Sequence, residues 1–128
     1  MSRIVLDASA ILALVHRKPG HENLTLALLD GALCSAVNVA EVQAKLVSRG
    51  WASEEAWEDA TSAIDEVVPF DAPQAKTCGD LITVARPLGL SLGDRACLAL
   101  GITHKVPVYT TEKTWKKLRL GIPIHVIR

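Results

Sequence analysis

Four carboxylates stand in this chain where a strand-like apolar run hands over to a helical one. Asp7 ends the run Ile4-Val5-Leu6, and Glu41 sits in S-A-V-N-V-A-E-V. Asp94 opens the apolar helix S-L-G-D-R-A-C-L-A-L, and Glu112 lies in V-Y-T-T-E-K-T-W. Carboxylates gathered at one place repel one another unless a cation compensates them. A ligand set made only of oxygen suits Mg²⁺ or Mn²⁺ better than zinc. None of the four histidines falls within these motifs, which disfavours a His-based zinc site. The chemistry such a site serves is phosphodiester hydrolysis: the metal acidifies and orients a water and stabilises the leaving oxygen.

Each acid also has a purely local explanation. Asp7 is placed to cap the helix that follows it. Asn38-x-x-Glu41 and Ser91-x-x-Asp94 both have the spacing of a capping box, and Glu112 suits the positive end of a short helix. Hydroxyls flank two of the acids: Ser9 follows Asp7 by two residues, and Thr110 and Thr111 precede Glu112. They can orient a metal-bound water or a phosphate oxygen, or simply cap their local helix. Arg95 and Lys113 neighbour two of the acids and are candidates for a phosphate or for solvent. Gly93 allows close backbone approach at a helix start.

The elements that must position these groups alternate along the chain. Short continuous apolar strands are expected at Ile4-Val5-Leu6, Ala32–Ser35, Val67–Phe70 (an edge strand, given Pro69), Val106–Tyr109 and Ile122–Ile127. Between them the periodicity predicts helices over 8–16, about 24–30, 38–49, 53–66, 73–86, 91–104 and 112–119. In the 53–66 helix, Ala56, Trp57, Ala60 and Ile64 form the inward face. This alternation implies a single α/β domain over 1–128, a three-layer sandwich around a mostly parallel five-stranded sheet. In such sheets the carboxyl ends of the strands form the binding crevice, and that is where the four acids lie.

Composition agrees with a compact domain: 128 residues, 49% hydrophobic, and only 4% aromatic. Net charge is zero, so no global basic field announces a nucleic-acid partner. Its distribution is uneven. Residues 51–75 carry seven acids and no Lys or Arg, whereas 101–128 carry six basic residues against Glu112 alone. That basic end is a candidate phosphate-facing surface or a solvated face. Cys34, Cys78 and Cys97 lie in apolar surroundings without metal-site or disulfide spacing and read as buried hydrophobes. Trp115 reads as a core aromatic. Neither a secretory signal nor a membrane span is apparent, so a cytoplasmic protein with no membrane partner is expected.

Taken in order, L-D-A-S-A-I-L, S-A-V-N-V-A-E-V, S-L-G-D-R-A-C-L-A-L and V-Y-T-T-E-K-T-W resemble the successive motifs of PIN-domain proteins. Length and motif order look most like the VapC toxins of bacterial toxin–antitoxin pairs. The resemblance implies a Mg²⁺- or Mn²⁺-dependent endoribonuclease, homodimeric and silenced by a cognate antitoxin whose tail enters the acidic groove. Carried over by position, Asp7, Glu41 and Asp94 match the family's acidic site. Glu112 falls where aspartate is usual, and the acid that some relatives carry one turn after Asp94 is replaced here by Ala96-Cys97-Leu98. The competing reading is a catalytically weak PIN-like module that binds RNA or protein. Phosphotransfer through an aspartyl-phosphate is disfavoured, because Asp7 lacks both an adjacent acid and a second aspartate at position 9.

Overall fold

The computed structural model describes residues 2–128, and all five strands found there are parallel. They are β1 (Ile4–Leu6), β2 (Ala32–Ser35), β3 (Glu66–Val68), β4 (Val108–Thr110) and β5 (Ile124–Val126). The helices are α1 (Ala8–His16), α2 (Leu26–Leu29), α3 (Ala36–Ser48), α4 (Ser53–Thr61), α5 (Ala72–Asp80), α6 (Ile82–Ala85) and α7 (Leu92–His104). Side chains alternate across the sheet. Ile4, Leu6, Ala32 and Cys34 join α1, α3 and α4 in one buried cluster, while Val5, Leu33 and Val108 join α5, α7 and Trp115 in the other. The expected three-layer sandwich follows from that alternation, with burial on both faces explaining why the strands read as unbroken apolar runs.

Strand order is β3-β2-β1-β4-β5. The chain builds outward from β1 to the β3 edge, then crosses back to place β4 on the other side of β1. The order therefore reverses between β1 and β4, where a parallel sheet opens its crevice. Leu6 pairs with Tyr109, and the Asp7 amide donates to the Tyr109 carbonyl at 3.2 Å. The carboxyl end of β1 thus lies directly against that of β4. The proline-marked strand β3 does lie at an edge.

Several boundaries differ from the sequence expectation. The residue capping α3 is Ser35, whose hydroxyl accepts from the Val37 amide, so Asn38 lies inside the helix and the Asn38–Glu41 capping box does not form. Helix α4 ends at Thr61, and Trp57 is 48% exposed instead of facing inward, leaving Ala56 and Ala60 as the buried residues of that helix. The small alanines let α4 sit close to α1 and α3, and a Trp would not fit that seam. The expected helix over 73–86 breaks at Leu81 into α5 and α6. The one expected around residue 28 shrinks to a 3₁₀ turn (His21–Asn23) and the single turn α2. Val106 donates to the Gly101 carbonyl to close the end of α7, so β4 starts at Val108. Residues 113–117 form a 3₁₀ turn in place of a helix.

Among the described residues, no helix is long and apolar enough to cross a membrane. All three cysteines are free and buried, and burial raises the Cys34 and Cys97 thiols far above their usual range.

Candidate active site at the strand ends

Asp7 is the centre of the crevice. Its carboxylate is 3% exposed and caps α1 by accepting from the Ala10 amide at 2.8 Å. The Ser9 hydroxyl spans both carboxylate oxygens at 2.7 and 2.9 Å, and the Thr110 hydroxyl from β4 donates to Oδ2 at 2.6 Å. Capping and site-building are therefore the same geometry, since the N-cap position aims the carboxylate back toward the end of β1. The hydroxyls are held in turn. The Thr111 amide donates to Ser9 Oγ at 3.0 Å and the Glu112 amide to Thr110 Oγ1 at 3.0 Å.

Electrostatics make this group unusual. Burial lifts the Asp7 carboxyl from 3.8 to about 6; the bonds from Thr110, Ser9 and Ala10 offset part of that rise, and the nearby Asp94 charge adds to it. An opposite charge placed beside such a carboxylate would favour its ionised form further.

Asp94 lies in the first turn of α7 and completes the expected capping box. It accepts from the Ser91 amide at 2.9 Å, while Ser91 Oγ accepts from the Asp94 amide at 3.1 Å. Glu41 reaches from α3 to the same place. A Cβ built on Gly93 would collide with the Glu41 carboxylate, so the bare glycine leaves room for that side chain against the start of α7. Asn38 Nδ2 donates to Glu41 Oε1 at 2.9 Å and to the Gly93 carbonyl at 3.0 Å. Glu112 is exposed just past the end of β4 and is tied in through its backbone, its amide donating to Thr110 Oγ1 and its carbonyl accepting from the Trp115 amide. Its carboxylate makes no hydrogen bond among the described residues.

The structure thus joins Asp7, Ser9, Thr110 and the Thr111 backbone by direct hydrogen bonds, and packs Glu41 against the glycine that precedes Asp94. It does not assemble three acids into one tight cluster: among the described residues no group of three His, Cys, Asp or Glu is poised to hold an ion unaided. Arg95 turns away, its guanidinium donating to the Cys78 carbonyl of α5 at 3.1 Å. Asn38 is the residue that sequence reasoning passed over. Its signal was the three-residue spacing to Glu41, which a capping box and a same-face helical pair share.

The surrounding surface has two further features. After Glu112 the 3₁₀ turn is pinned by Trp115, which is wholly buried, and by Leu118, while Lys113, Lys116 and Lys117 face solvent. An apolar groove of about 460 Å³ runs between α3, α4 and β3, lined by Val39, Ala40, Val47, Trp57 and Val67.

Solved structures with this architecture are numerous. DNA-bound VapBC from Salmonella typhimurium superposes with a TM-score of 0.73 at 19% identity, covering 97% of both chains. VapBC2 from Rickettsia felis, bound to a DNA fragment from its promoter, gives 0.72 at 18% identity over 94% of this chain and 96% of that one. VapC20 from Mycobacterium tuberculosis, a Sarcin-Ricin loop cleaving toxin, gives 0.71 at 12% identity over 93% and 98%. At such identities the likeness is one of fold. No curated protein matches the sequence. The sequence model of the PIN domain, however, matches residues 4–120, a span that takes in β1 through β4 and every acid described above. By that match, and by the parallel sheet whose reversal point holds Asp7, the chain belongs to the PIN domain family.

Proposed function

We propose that this chain is a metal-dependent endoribonuclease, the toxin of a VapBC-type pair, acting in the cytoplasm on RNA and silenced by a cognate antitoxin. The observation that carries the reading is Asp7: a buried carboxylate at the sheet's reversal point, raised to about 6 and neighboured by Asp94. Membership of the PIN domain family and the likeness in fold to a Sarcin-Ricin loop cleaving toxin support it.

The donor set fits Mg²⁺ or Mn²⁺, because every candidate side chain offers oxygen. Mg²⁺ commonly binds through one or two carboxylates, with waters and substrate phosphates completing its shell. Asp7 and Asp94 would hold it with Glu41. When bound, the ion would supply an acidified water and stabilise the leaving oxygen. The protein's own groups do the rest. Ser9 and Thr110 fix the orientation of Asp7, and Glu112, unencumbered at the rim, orients the attacking water. Lys113, Lys116 and Lys117 face the phosphate backbone. Arg95, engaged with α5, contributes to the seating of α7 instead.

The solved VapBC neighbours are complexes of toxin with antitoxin, which supports an antitoxin partner for this chain. The apolar groove beside Trp57 offers such a partner a seat. A homodimer remains part of this proposal.

Incubation with structured RNA in Mg²⁺, Mn²⁺ or EDTA tests the activity. Cleavage should require metal and disappear in Asp7→Asn. Cleavage of equal rate by folded Asp7→Asn would overturn the site assignment, and RNA binding without cleavage in either metal would favour the binding-module reading.

A further inference from the structure

The geometry points to Asn38 as a positioning residue that sets the distance between Glu41 and Asp94, and so the affinity of the site for its divalent cation; this rests on the metal-dependent reading proposed above. Asn38 is 1% exposed, near the start of α3 and facing the start of α7. Its amide nitrogen serves two acceptors at once, Glu41 Oε1 at 2.9 Å and the Gly93 carbonyl at 3.0 Å. Both neighbours can only accept, so the orientation of the amide is chemically determined. The consequence is an Asn38 Oδ1 that is buried without a partner among the described residues. A position serving the core alone would avoid that orphan acceptor, since buried polar atoms are ordinarily satisfied. What the orphan is tolerated for is the other end of the amide.

Two elements converge there. Gly93 has no side chain, and any Cβ would strike the Glu41 carboxylate. Asn38 then ties that carboxylate to the Gly93 carbonyl, one residue before Asp94. Helix α3 is thereby tied to the backbone at the start of α7 through Asn38, and the same amide holds the Glu41 carboxylate before any cation arrives. Ligands held by outer partners in this way typically lose 10–100-fold in metal affinity when the partner is removed.

The test is Mn²⁺ binding by titration calorimetry on the full chain, with thermal unfolding in EDTA as the measure of structure. Asn38→Ala should weaken Mn²⁺ binding about 10-fold or more. Gly93→Ala should do the same by a separate route, pushing the Glu41 carboxylate aside while the helix, whose backbone there needs no glycine, stays intact. Because both act through Glu41, the double variant should lose little more than the worse single one, a non-additivity that independent structural damage does not produce. Mn²⁺ affinity within twofold of the parent in Asn38→Ala, whatever its unfolding temperature, would overturn the assignment, as would additive losses. If Asn38→Ala fails to fold, Asn38→Ser replaces it under the same criteria. A parent that binds no Mn²⁺ would sink the metal site itself and this inference with it. A parent that binds while Asp7→Asn does not, alongside parent-like Asn38→Ala, would sink this inference alone.

Discussion

Asp7→Asn should stabilise the metal-free protein at neutral pH while abolishing RNA cleavage. Asp7 titrates near 6 in the fold against 3.8 ordinarily, a difference worth about 3 kcal/mol. Below pH 3.8 folded and unfolded chains are both protonated there and the group is neutral to stability. Between 3.8 and about 6 the unfolded chain releases its proton first, so native stability falls as pH rises. Above 6 the full cost of a buried, ionised carboxylate is present. Asparagine keeps the shape and the cap, because its Oδ1 can still accept from Ala10, and Asn and Asp are equally good N-caps. Its amide meets the Thr110 hydroxyl, which already accepts from Glu112, and rearranging that bond forfeits about 1 kcal/mol. The net gain is then about 2 kcal/mol at pH 7.5, shrinking to about zero at pH 4.5, where only about 1 kcal/mol of the titration cost remains. Urea unfolding in EDTA across pH 4.5–7.5 measures it. A stability difference independent of pH, or an Asp7→Asn variant weaker than the parent at pH 7.5, would refute the claim that burial sets this group's charge. Mn²⁺ at about ten times its Kd should add about 1.4 kcal/mol to the parent and nothing to the variant.

Other expectations follow from the same structure. Charge reversal at Lys116 and Lys117, both exposed and outside every ion pair among the described residues, should weaken RNA binding. It should also flatten the logarithmic salt dependence by about 1 for each phosphate no longer neutralised. Binding is best read in the Asp7→Asn background, and an unchanged slope would place the RNA elsewhere. Ser91→Ala, which breaks the capping box of α7, should cost about 1 kcal/mol in chemical denaturation. Trp115→Ala, emptying a wholly buried site under the lysine turn, should cost about 3–5 kcal/mol; a loss below about 1 kcal/mol would mean that the turn is not pinned there. Thiol reagents should leave Cys34 and Cys97 untouched in the native protein, since both are buried with thiols held protonated.

What could be read from residue order was local. Continuous apolar runs marked strands buried on both faces, Pro69 marked the edge strand, Ser91 and Asp94 marked the start of α7, and Asp7 marked that of α1. Each signal lies within a few residues of what it specifies, so one-dimensional pattern suffices. Errors came where packing overrides period. Trp57 has the spacing of a core residue, yet the α3–α4 seam admits only Ala56 and Ala60. Arg95 neighbours an acid in sequence, but its helix phase sends it to the Cys78 carbonyl. Asn38 has the spacing of a cap one turn too late, because Ser35 at the end of β2 takes that place first.

The sequence by itself determined that Asp7 and Glu112 would follow the ends of parallel strands, because strand period and cap chemistry are properties of neighbouring residues. Asp94, expected at a strand end as well, instead opens a helix that follows α6 and no strand. Only the tertiary structure decided which ends meet. The order β3-β2-β1-β4-β5 laid Thr110 on Asp7 across 103 positions, and α3 against α7 laid Glu41 on Gly93. Those meetings follow from how the sheet is threaded and how two helices close over it, and no periodicity along a single segment carries that information.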